Sequence, residues 1–475
     1  MVRLPPVLRN VSSLFTSNLI SKAFDFWFFT LVVWYLGPDD FGSFAAALSL
    51  ASVFSILVSL GADEVVTREV ARSSSLTARY TTSLLSIRFF AGVIMVPLVV
   101  VSSLLLGYSS VVLICSALFA VSLVFRYLTR SFHSTFNGHD LMWITALSEV
   151  LRASIKLGGG WFLMQSSGGI FMLSSIYILS NLISLAFSFA LYCHVFDNTH
   201  LSISFIGIRT ILSATIPFAL SGGLVTLYNN IDVLMLSKLI GTSSVGMYSA
   251  PYKIMMGLVS VMSPLVLSVY PMMSRKSDEV ELSFLFGRLI KYVSIISIPM
   301  GFGVVCISPN LISLLFGPQY DRSSIILRIL IWNFVLISLS WPFAYLLKAL
   351  DAQSANLRAS AIELTSNVIL NAILIVHVGV LGAAIATVIT AAIGLAYTSY
   401  AAKCLGYFIS NTILVSILKS IVCSFAMALV VLHSPGGLFV HVTVGIFTYT
   451  VLCLLMRVLD EEDIRLLREF SPIST

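Results

Sequence analysis

Apolar runs of about twenty residues recur along this chain from Leu14 to Met456, and short polar breaks separate them. A helix of about twenty apolar residues is long enough to cross a hydrocarbon core of ~30 Å. The alternative, a membrane-spanning barrel, would need alternating segments of about ten residues, and the sequence contains no such series. The pattern therefore predicts an all-α, polytopic integral membrane protein.

The apolar runs predict fourteen transmembrane helices. Their limits are 14–36, 42–60, 81–106, 109–131, 142–164, 169–194, 209–237, 246–272, 287–308, 323–349, 357–377, 380–402, 411–432 and 438–457. The first run follows MVRLPPVLRN and lacks a small-residue cleavage site, so we expect it to be retained as a span and not removed as a signal peptide.

Composition supports the same class of protein. Of the 475 residues, 58% are hydrophobic and only 10% are charged, with a mean hydropathy of +0.99. This leaves too little polar surface to cover a soluble globule. The net charge of +6 is explained by the basic residues that set the orientation in the membrane, described next. It therefore gives no support to a nucleic-acid partner.

The distribution of basic residues predicts the orientation in the membrane. Eighteen lysines and arginines fall at the two ends of the chain or at even-numbered connections and the span ends beside them, and only Lys238 and Arg322 fall on the odd-numbered side. Cytoplasmic loops are enriched in Lys and Arg, so both termini are expected in the cytoplasm. The localisation predicted is the cytoplasmic membrane of the cell. The connection 61–80 is long enough for an amphipathic cytoplasmic helix, with Arg68 and Arg72 one turn apart; it is either a headgroup-binding helix or only a topological anchor.

Two weak internal echoes predict a repeat. Gly37 and Gly42 have the same G-x4-G spacing as Gly241 and Gly246, and the offset is 204 residues. A second echo, at an offset of 214, pairs Glu149 with Glu363 and Gly168 with Gly382.

Spans seven to twelve then repeat spans one to six in the same orientation. This predicts an N-terminal lobe at 1–207, a C-terminal lobe at 208–403, and two additional helices with a tail at 404–475, with a substrate path between the lobes. The local explanation of the glycines is a tight turn that requires positive φ.

An ordered set of short motifs resembles a known family. The motifs are LIGTSSVGMYSAPYKI, SVYPMMS, LLFGPQY and NVILNAILIVHVGVLGAAIAT. Together they are similar to the polysaccharide transporter, or oligosaccharide flippase, branch of the multidrug/oligosaccharidyl-lipid/polysaccharide exporter superfamily.

The resemblance implies a fold like that of the multidrug exporters. It implies movement of a polyprenyl-phosphate-linked or polyprenyl-diphosphate-linked oligosaccharide to the outer leaflet, for a surface polysaccharide or a glycoprotein glycan. The implied partners are this lipid-linked oligosaccharide, membrane lipids and polysaccharide-assembly proteins, with H⁺ or Na⁺ as a coupling ion.

Ionisable residues inside spans are costly and are therefore candidates for the binding site. Apart from the residues already counted at the span ends, seven basic residues against four acidic ones lie within the predicted spans, which suits an anionic cargo. Lys22 and Asp25 are three apart, as are Glu149 and Arg152, with Lys156 four further on, so each set shares one helix face. One interpretation is a pair of structural salt bridges; the other leaves Arg152, Lys156 or Lys22 to hold a phosphate.

Span seven contains a polar cluster, YNNID. Asn229 and Asn230 offer donors and acceptors that a sugar requires. Asp232 completes the candidate cavity, together with the basic Lys253 of span eight. Three acids are candidates for coupling transport to a proton or Na⁺; they are Asp25, Asp232 and Glu363.

Other chemistry finds little support in the sequence. The six cysteines show no paired spacing and the histidines no ligand pattern with carboxylates, so no metal, cofactor or catalytic residue is predicted. A membrane glycosyltransferase or polymerase would be expected to have a large polar loop or a carboxylate cluster at the membrane edge, whereas the longest connections here are short and basic. The nearer alternatives are a multidrug or small-molecule cation antiporter of the same fold and a flippase of a lipid-linked peptidoglycan precursor.

Overall fold

A computed structural model describes residues 6–196, 208–275, 278–458 and 463, and the regular structure in these ranges is helical. The helices of the N-terminal half are α1 (Pro6–Phe54), α2 (Ile56–Ser59), α3 (Ala62–Arg72), α4 (Thr77–Leu105), α5 (Ser110–Gly138), α6 (Met142–Gln165), α7 (Ile170–Val195) and α8 (Ile208–Leu239). Those that follow are α9 (Thr242–Ser274), α10 (Glu279–Phe316), α11 (Ser323–Ala349), α12 (Gln353–Val378), α13 (Val380–Cys404), α14 (Asn411–His433) and α15 (Leu438–Leu455). Short 3₁₀ turns occur at Ser74–Leu76 and Pro318–Tyr320.

Eleven of the helical segments in the described ranges are long and apolar enough to cross a membrane. The predicted multi-pass helical membrane protein is thereby confirmed, whereas the count of fourteen spans stays a prediction. One reason for the lower number is that Thr16–Arg72 counts as a single segment. Another is α6, which is not among the eleven because it carries three charged residues, Glu149, Arg152 and Lys156.

The first G-x4-G motif forms a sharper bend than the predicted four-residue turn. Only Gly37 leaves the helical conformation inside α1, with φ 70° and ψ 175°. Pro38 follows at once as the first residue of the next helical stretch, a position where the missing N–H of proline costs nothing. Gly241, between α8 and α9, also has positive φ, at 123°. The predicted need for glycine at both turns is confirmed.

Contacts divide the chain into two compact units, residues 1–249 and 250–475. In the first unit, α1 packs on α6 and α5 packs on both α4 and α7. In the second unit, α11 packs on α10 and α13, and α14 packs on α10 and α15. The repeat-based lobes at 1–207 and 208–403 are defined by topology instead, and their limits stay a prediction.

The predicted amphipathic helix of the connection 61–80 is present as α3. Its buried face carries Val65, Val66 and Val70, while Arg68 and Arg72 are exposed. Both arginines pair with Glu69, at 3.1 and 3.5 Å. The predicted tail falls outside the described ranges beyond residue 458, apart from Asp463.

Candidate functional site

A buried cluster of charged side chains joins α1 to α6 in the first unit. Arg152 Nη2 donates to Asp25 Oδ2 at 3.0 Å, and its Nη1 lies 3.5 Å from Asp25 Oδ1. The Lys156 ammonium also pairs with Asp25 Oδ1. Both cations are almost fully buried. Because Arg and Lys are rarely buried without a counter-charge, the Asp25 carboxylate is the group that lets both cations sit between these helices.

Glu149 completes the pairing of Arg152 from the same helix. Arg152 Nε donates to Glu149 Oε2 at 2.9 Å, which confirms that this i,i+3 pair shares a helix face. His133 of α5 approaches the other oxygen, with Nδ1 3.9 Å from Glu149 Oε1. Arg152 is thus held by two carboxylates on different elements.

Aromatic rings enclose the Lys156 ammonium on its other side. Its Nζ lies 4.9 Å from the ring centre of Tyr177 and 5.4 Å from that of Phe28, distances at which a cation is attracted to the ring face. A Cβ at Gly160 would lie 2.3 Å from Phe28 Cε2, so glycine there permits the ring to reach this place. The lysine is fixed by rings and carboxylate together.

The structure does not place Lys22 in this cluster. Its side chain is exposed, and it makes no hydrogen bond or ion pair with any residue in the described ranges. Asp25 lies on the same helix three residues away but pairs with Arg152 and Lys156 of α6 instead. The predicted shared face of Lys22 and Asp25 therefore does not produce a salt bridge.

A second charge cluster, which sequence reasoning missed, joins α3, α4 and α5. Asp63 accepts hydrogen bonds from Arg88 Nη2 at 2.8 Å and from Ser134 Oγ at 3.0 Å, and it forms an ion pair with Arg130 Nη2 at 2.8 Å. The Arg88 side chain is fully buried and also donates to the Tyr127 carbonyl at 2.9 Å. One carboxylate thus serves two guanidinium groups, which leaves this cluster with one excess positive charge.

A small cavity adjoins this second cluster. Its volume is about 200 Å³, and Arg130, Tyr127, Ser55 and Thr226 are among the residues that line it. Arg130 also lies over the Tyr127 ring, 5.5 Å from its centre. The cavity thus combines a cation, hydroxyl groups and an aromatic ring.

The polar residues of the α8 cluster differ in their hydrogen-bond partners. Asp232 is buried and accepts from the Tyr248 hydroxyl at 2.7 Å. Asn230 donates to the Thr226 carbonyl of its own helix at 2.8 Å. Asn229 is half-buried and, within the part of the chain that is described, has no hydrogen-bond partner. Lys253 of α9 is exposed. Of the two asparagines, Asn229 is therefore the one whose amide remains available to a ligand.

Glu363 lies in the second unit, on α12 against α13. A Cβ on Gly394 would come 1.9 Å from Glu363 Oε1, so any larger residue at 394 would push this carboxylate aside. Over the described ranges, the carboxylate has neither a hydrogen bond nor an ion pair. At the repeat offset of 214 from Arg152 and Lys156, the chain has Ser366 and Leu370. The second half thus keeps the acid of the echo but not its cations.

A larger cavity of about 640 Å³ lies in the second unit and is lined by Arg288, Lys291, Phe284 and Tyr407, among others. Asp463, which is fully buried, pairs with both Arg288 and Lys291. The two cations that reach this cavity therefore share one carboxylate from the C-terminal end of the described chain.

Comparison with known families assigns the chain. The family described as "Polysaccharide biosynthesis protein" matches residues 7–277, which is more than half of the sequence. The chain belongs to this family. The family described as MatE matches residues 217–373. The predicted resemblance to the oligosaccharide flippase branch is confirmed.

Similar proteins agree over nearly the whole length of the chain. A Haloferax volcanii protein named "Probable low-salt glycan biosynthesis flippase Agl15" is 23% identical over 98% of this chain and 99% of its own. "Capsular polysaccharide biosynthesis protein CapF" of Staphylococcus aureus is 23% identical over 81% of this chain and 96% of its own. The first of these names agrees with the prediction of a transporter and not an enzyme.

Solved structures establish the fold. "Lipid II flippase MurJ, inward closed conformation" matches with a TM-score of 0.78 and 16% identity, over 93% of this chain and 98% of that one. An inward-facing multidrug resistance transporter of the MATE family matches with a TM-score of 0.63 and 15% identity, over 81% and 95%. The chain therefore has the fold of this exporter superfamily, as predicted.

Proposed function

We propose that the protein is a flippase that moves a polyprenyl-phosphate-linked or polyprenyl-diphosphate-linked oligosaccharide across the cytoplasmic membrane. The sugar would serve a surface polysaccharide or a glycoprotein glycan. Family membership supports this function, as do the names of the similar proteins.

The observation that carries the proposal is the buried Asp25–Arg152–Lys156 cluster between α1 and α6. A lipid-linked oligosaccharide has an anionic phosphate and a hydroxylated head that cannot cross hydrocarbon unaided. Intramembrane charges of this kind mark substrate or ion pathways. The buried ion pairs of Arg152 and Lys156 with Asp25 mark this part of the first unit as the place where such a cargo would pass.

The orientation that accompanies this function has both termini in the cytoplasm, with cargo loaded from the cytoplasmic leaflet. The excess of basic residues at the chain ends and at the even-numbered connections supports this orientation, because cytoplasmic segments are enriched in Lys and Arg. Polysaccharide-assembly proteins would supply the loaded lipid or receive it.

Among the three candidates for ion coupling, we propose Glu363. Asp25 is engaged by two cations and Asp232 by Tyr248, whereas no partner holds the Glu363 carboxylate within the described parts of the chain. A carboxylate that gains and loses a proton changes the charge of α12 where it packs on α13, and alternating access requires such a switchable element.

The test is reconstitution of the purified protein in liposomes with a fluorescent polyprenyl-diphosphate oligosaccharide. Transfer to the inner leaflet would protect the label from an external quencher. We expect protection to rise faster in proteoliposomes than in protein-free liposomes. If the protein moved no such lipid but expelled an amphiphilic cation under a proton gradient, the antiporter alternative would replace this proposal. A peptidoglycan precursor offered in parallel tests the remaining alternative.

A further inference from the structure

Arg126 of α5 is a cation of the first unit that forms no ion pair within the described ranges. In the sequence it counts among the basic residues near the cytoplasmic end of predicted span four, and in the structure it lies within α5. Its side chain is half-buried. It forms no hydrogen bond and no ion pair with the residues that the structure describes.

The neighbours of Arg126 make this lack of a partner costly. The guanidinium lies close enough to Arg152 and Arg130 to be repelled by them, and close enough to Glu149 and Asp25 to be attracted. Those two carboxylates are already engaged by Arg152 and Lys156. With three cations against two acids, the α1–α5–α6 cluster keeps one uncompensated positive charge. A partly buried cation without a partner is unfavourable unless a ligand supplies the missing anion.

Arg130 adds a second guanidinium one turn further along the same helix. The spacing of four places both arginines on one face of α5. Arg130 Nη2 forms an ion pair with Asp63, while Arg130 Nε and Nη1 have no hydrogen-bond partner in the described ranges. About 41% of its side chain is exposed, and it lines the 200 Å³ cavity.

We propose that Arg126, assisted by Arg130, is the phosphate-binding group of this transporter, and that Arg152 and Lys156 position the site without holding the ligand. This proposal rests on the flippase function above. A guanidinium presents two parallel N–H donors to two phosphate oxygens, so one free Arg suits a phosphate ester better than a lysine does. Arg152, in contrast, already uses Nε, Nη1 and Nη2 on carboxylates.

The experiment is equilibrium binding of fluorescent polyprenyl phosphate and polyprenyl diphosphate to the full-length protein in nanodiscs. We expect R126Q to weaken binding of the preferred carrier by about 10- to 100-fold, the loss typical of a charge-assisted hydrogen-bonded pair. R126K should fall between wild type and R126Q because it keeps the charge but loses the bidentate geometry. The matched control is R79Q, since Arg79 is an exposed arginine of α4 that has no partner among the described residues; its dissociation constant should stay within about twofold of wild type.

Three results would overturn the proposal. One is wild-type affinity in R126Q. Another is equal weakening by R126Q and R79Q, which would indicate a general charge effect. The third is competition by phosphatidylglycerol as strong as that by the unlabelled carrier, which would indicate a general headgroup site. A wild-type protein that binds neither carrier would instead refute the flippase function itself, so the two failures are distinguishable. Gel-filtration profiles and thermal midpoints establish that each variant is folded.

Discussion

Gly42 and Gly246, the second glycines of the two G-x4-G motifs, each lie against the backbone of the other motif. A Cβ on Gly42 would come 1.8 Å from the Thr242 carbonyl oxygen, and a Cβ on Gly246 would come 2.0 Å from the Pro38 carbonyl oxygen. The contact is reciprocal. The repeated spacing therefore has a physical reason beyond the turns, because two helices can approach this closely only where a side chain is absent.

Substituting either glycine should destabilise the protein. G42A or G246A would force backbone atoms apart, which we expect to cost about 1–3 kcal/mol of unfolding free energy, the usual penalty of overpacking. The matched control is G158A, a helical glycine at which a Cβ would meet nothing within 4 Å. Thermal unfolding in detergent, followed by tryptophan fluorescence, should give lower midpoints for G42A and G246A and an unchanged or higher midpoint for G158A. Equal midpoints for all three would show that the close approach contributes nothing.

The Asp63 carboxylate should be a major source of stability. D63N would leave the fully buried Arg88 without its counter-charge, and removing one partner of a buried pair costs about 3–5 kcal/mol. The control E69Q removes the carboxylate that serves the exposed Arg68 and Arg72 on the same helix, where a loss of about 0–1 kcal/mol is expected. Unfolding titrations in mixed detergent micelles would compare the two variants. A D63N protein as stable as E69Q would contradict the structural role given to this cluster.

Much of the fold followed from the hydrophobic pattern, because about twenty apolar residues have few alternatives to a membrane helix. The site was harder to predict. Spacing along α6 correctly paired Glu149 with Arg152, since that contact is local. The partner of Asp25 could not be found in the same way, because Lys22 and Lys156 are both available to it in sequence and packing of α1 on α6 decides between them.

Arg126 and Arg130 were missed for a related reason. Both lie near the predicted end of span four at residue 131, where positive charge normally marks the cytoplasmic side. In the structure, α5 continues to Gly138 and packs both arginines beside other charged helices. The spacing of four residues between the two arginines was the available signal.

A double-mutant cycle can measure whether Asp25 is coupled to Lys156 or to Lys22. We expect D25N and K156Q to be coupled by about 1–3 kcal/mol in unfolding free energy, because the two side chains form an ion pair. The D25N and K22Q pair should be additive within about 0.5 kcal/mol, since Lys22 is exposed and unpaired among the described residues. Strong coupling to Lys22 instead would restore the pairing that the sequence suggested.

Glu363 should determine the response of transport to a proton gradient. E363Q keeps the size of the side chain against Gly394 but cannot exchange a proton, so we expect flipping without a gradient to persist and its acceleration by a gradient to disappear. The comparison variant is E281Q, which changes an exposed acid in the first turn of α10 and should retain the acceleration. Assays in liposomes with the inside and outside pH set independently would measure this. Unchanged acceleration in E363Q would exclude Glu363 as the coupling group.

Recognition of the phosphate of a lipid-linked oligosaccharide is best tested by comparing two cargoes in the same proteoliposomes. One is a fluorescent oligosaccharide joined to a polyprenyl chain through a diphosphate, and the other carries the same sugar and chain joined through a neutral ether. Quencher protection gives the flipping rate of each. We expect protein-dependent flipping of the diphosphate lipid and only the protein-free background rate for the ether lipid. Equal rates for the two lipids would show that this transporter does not recognise its cargo by the phosphate.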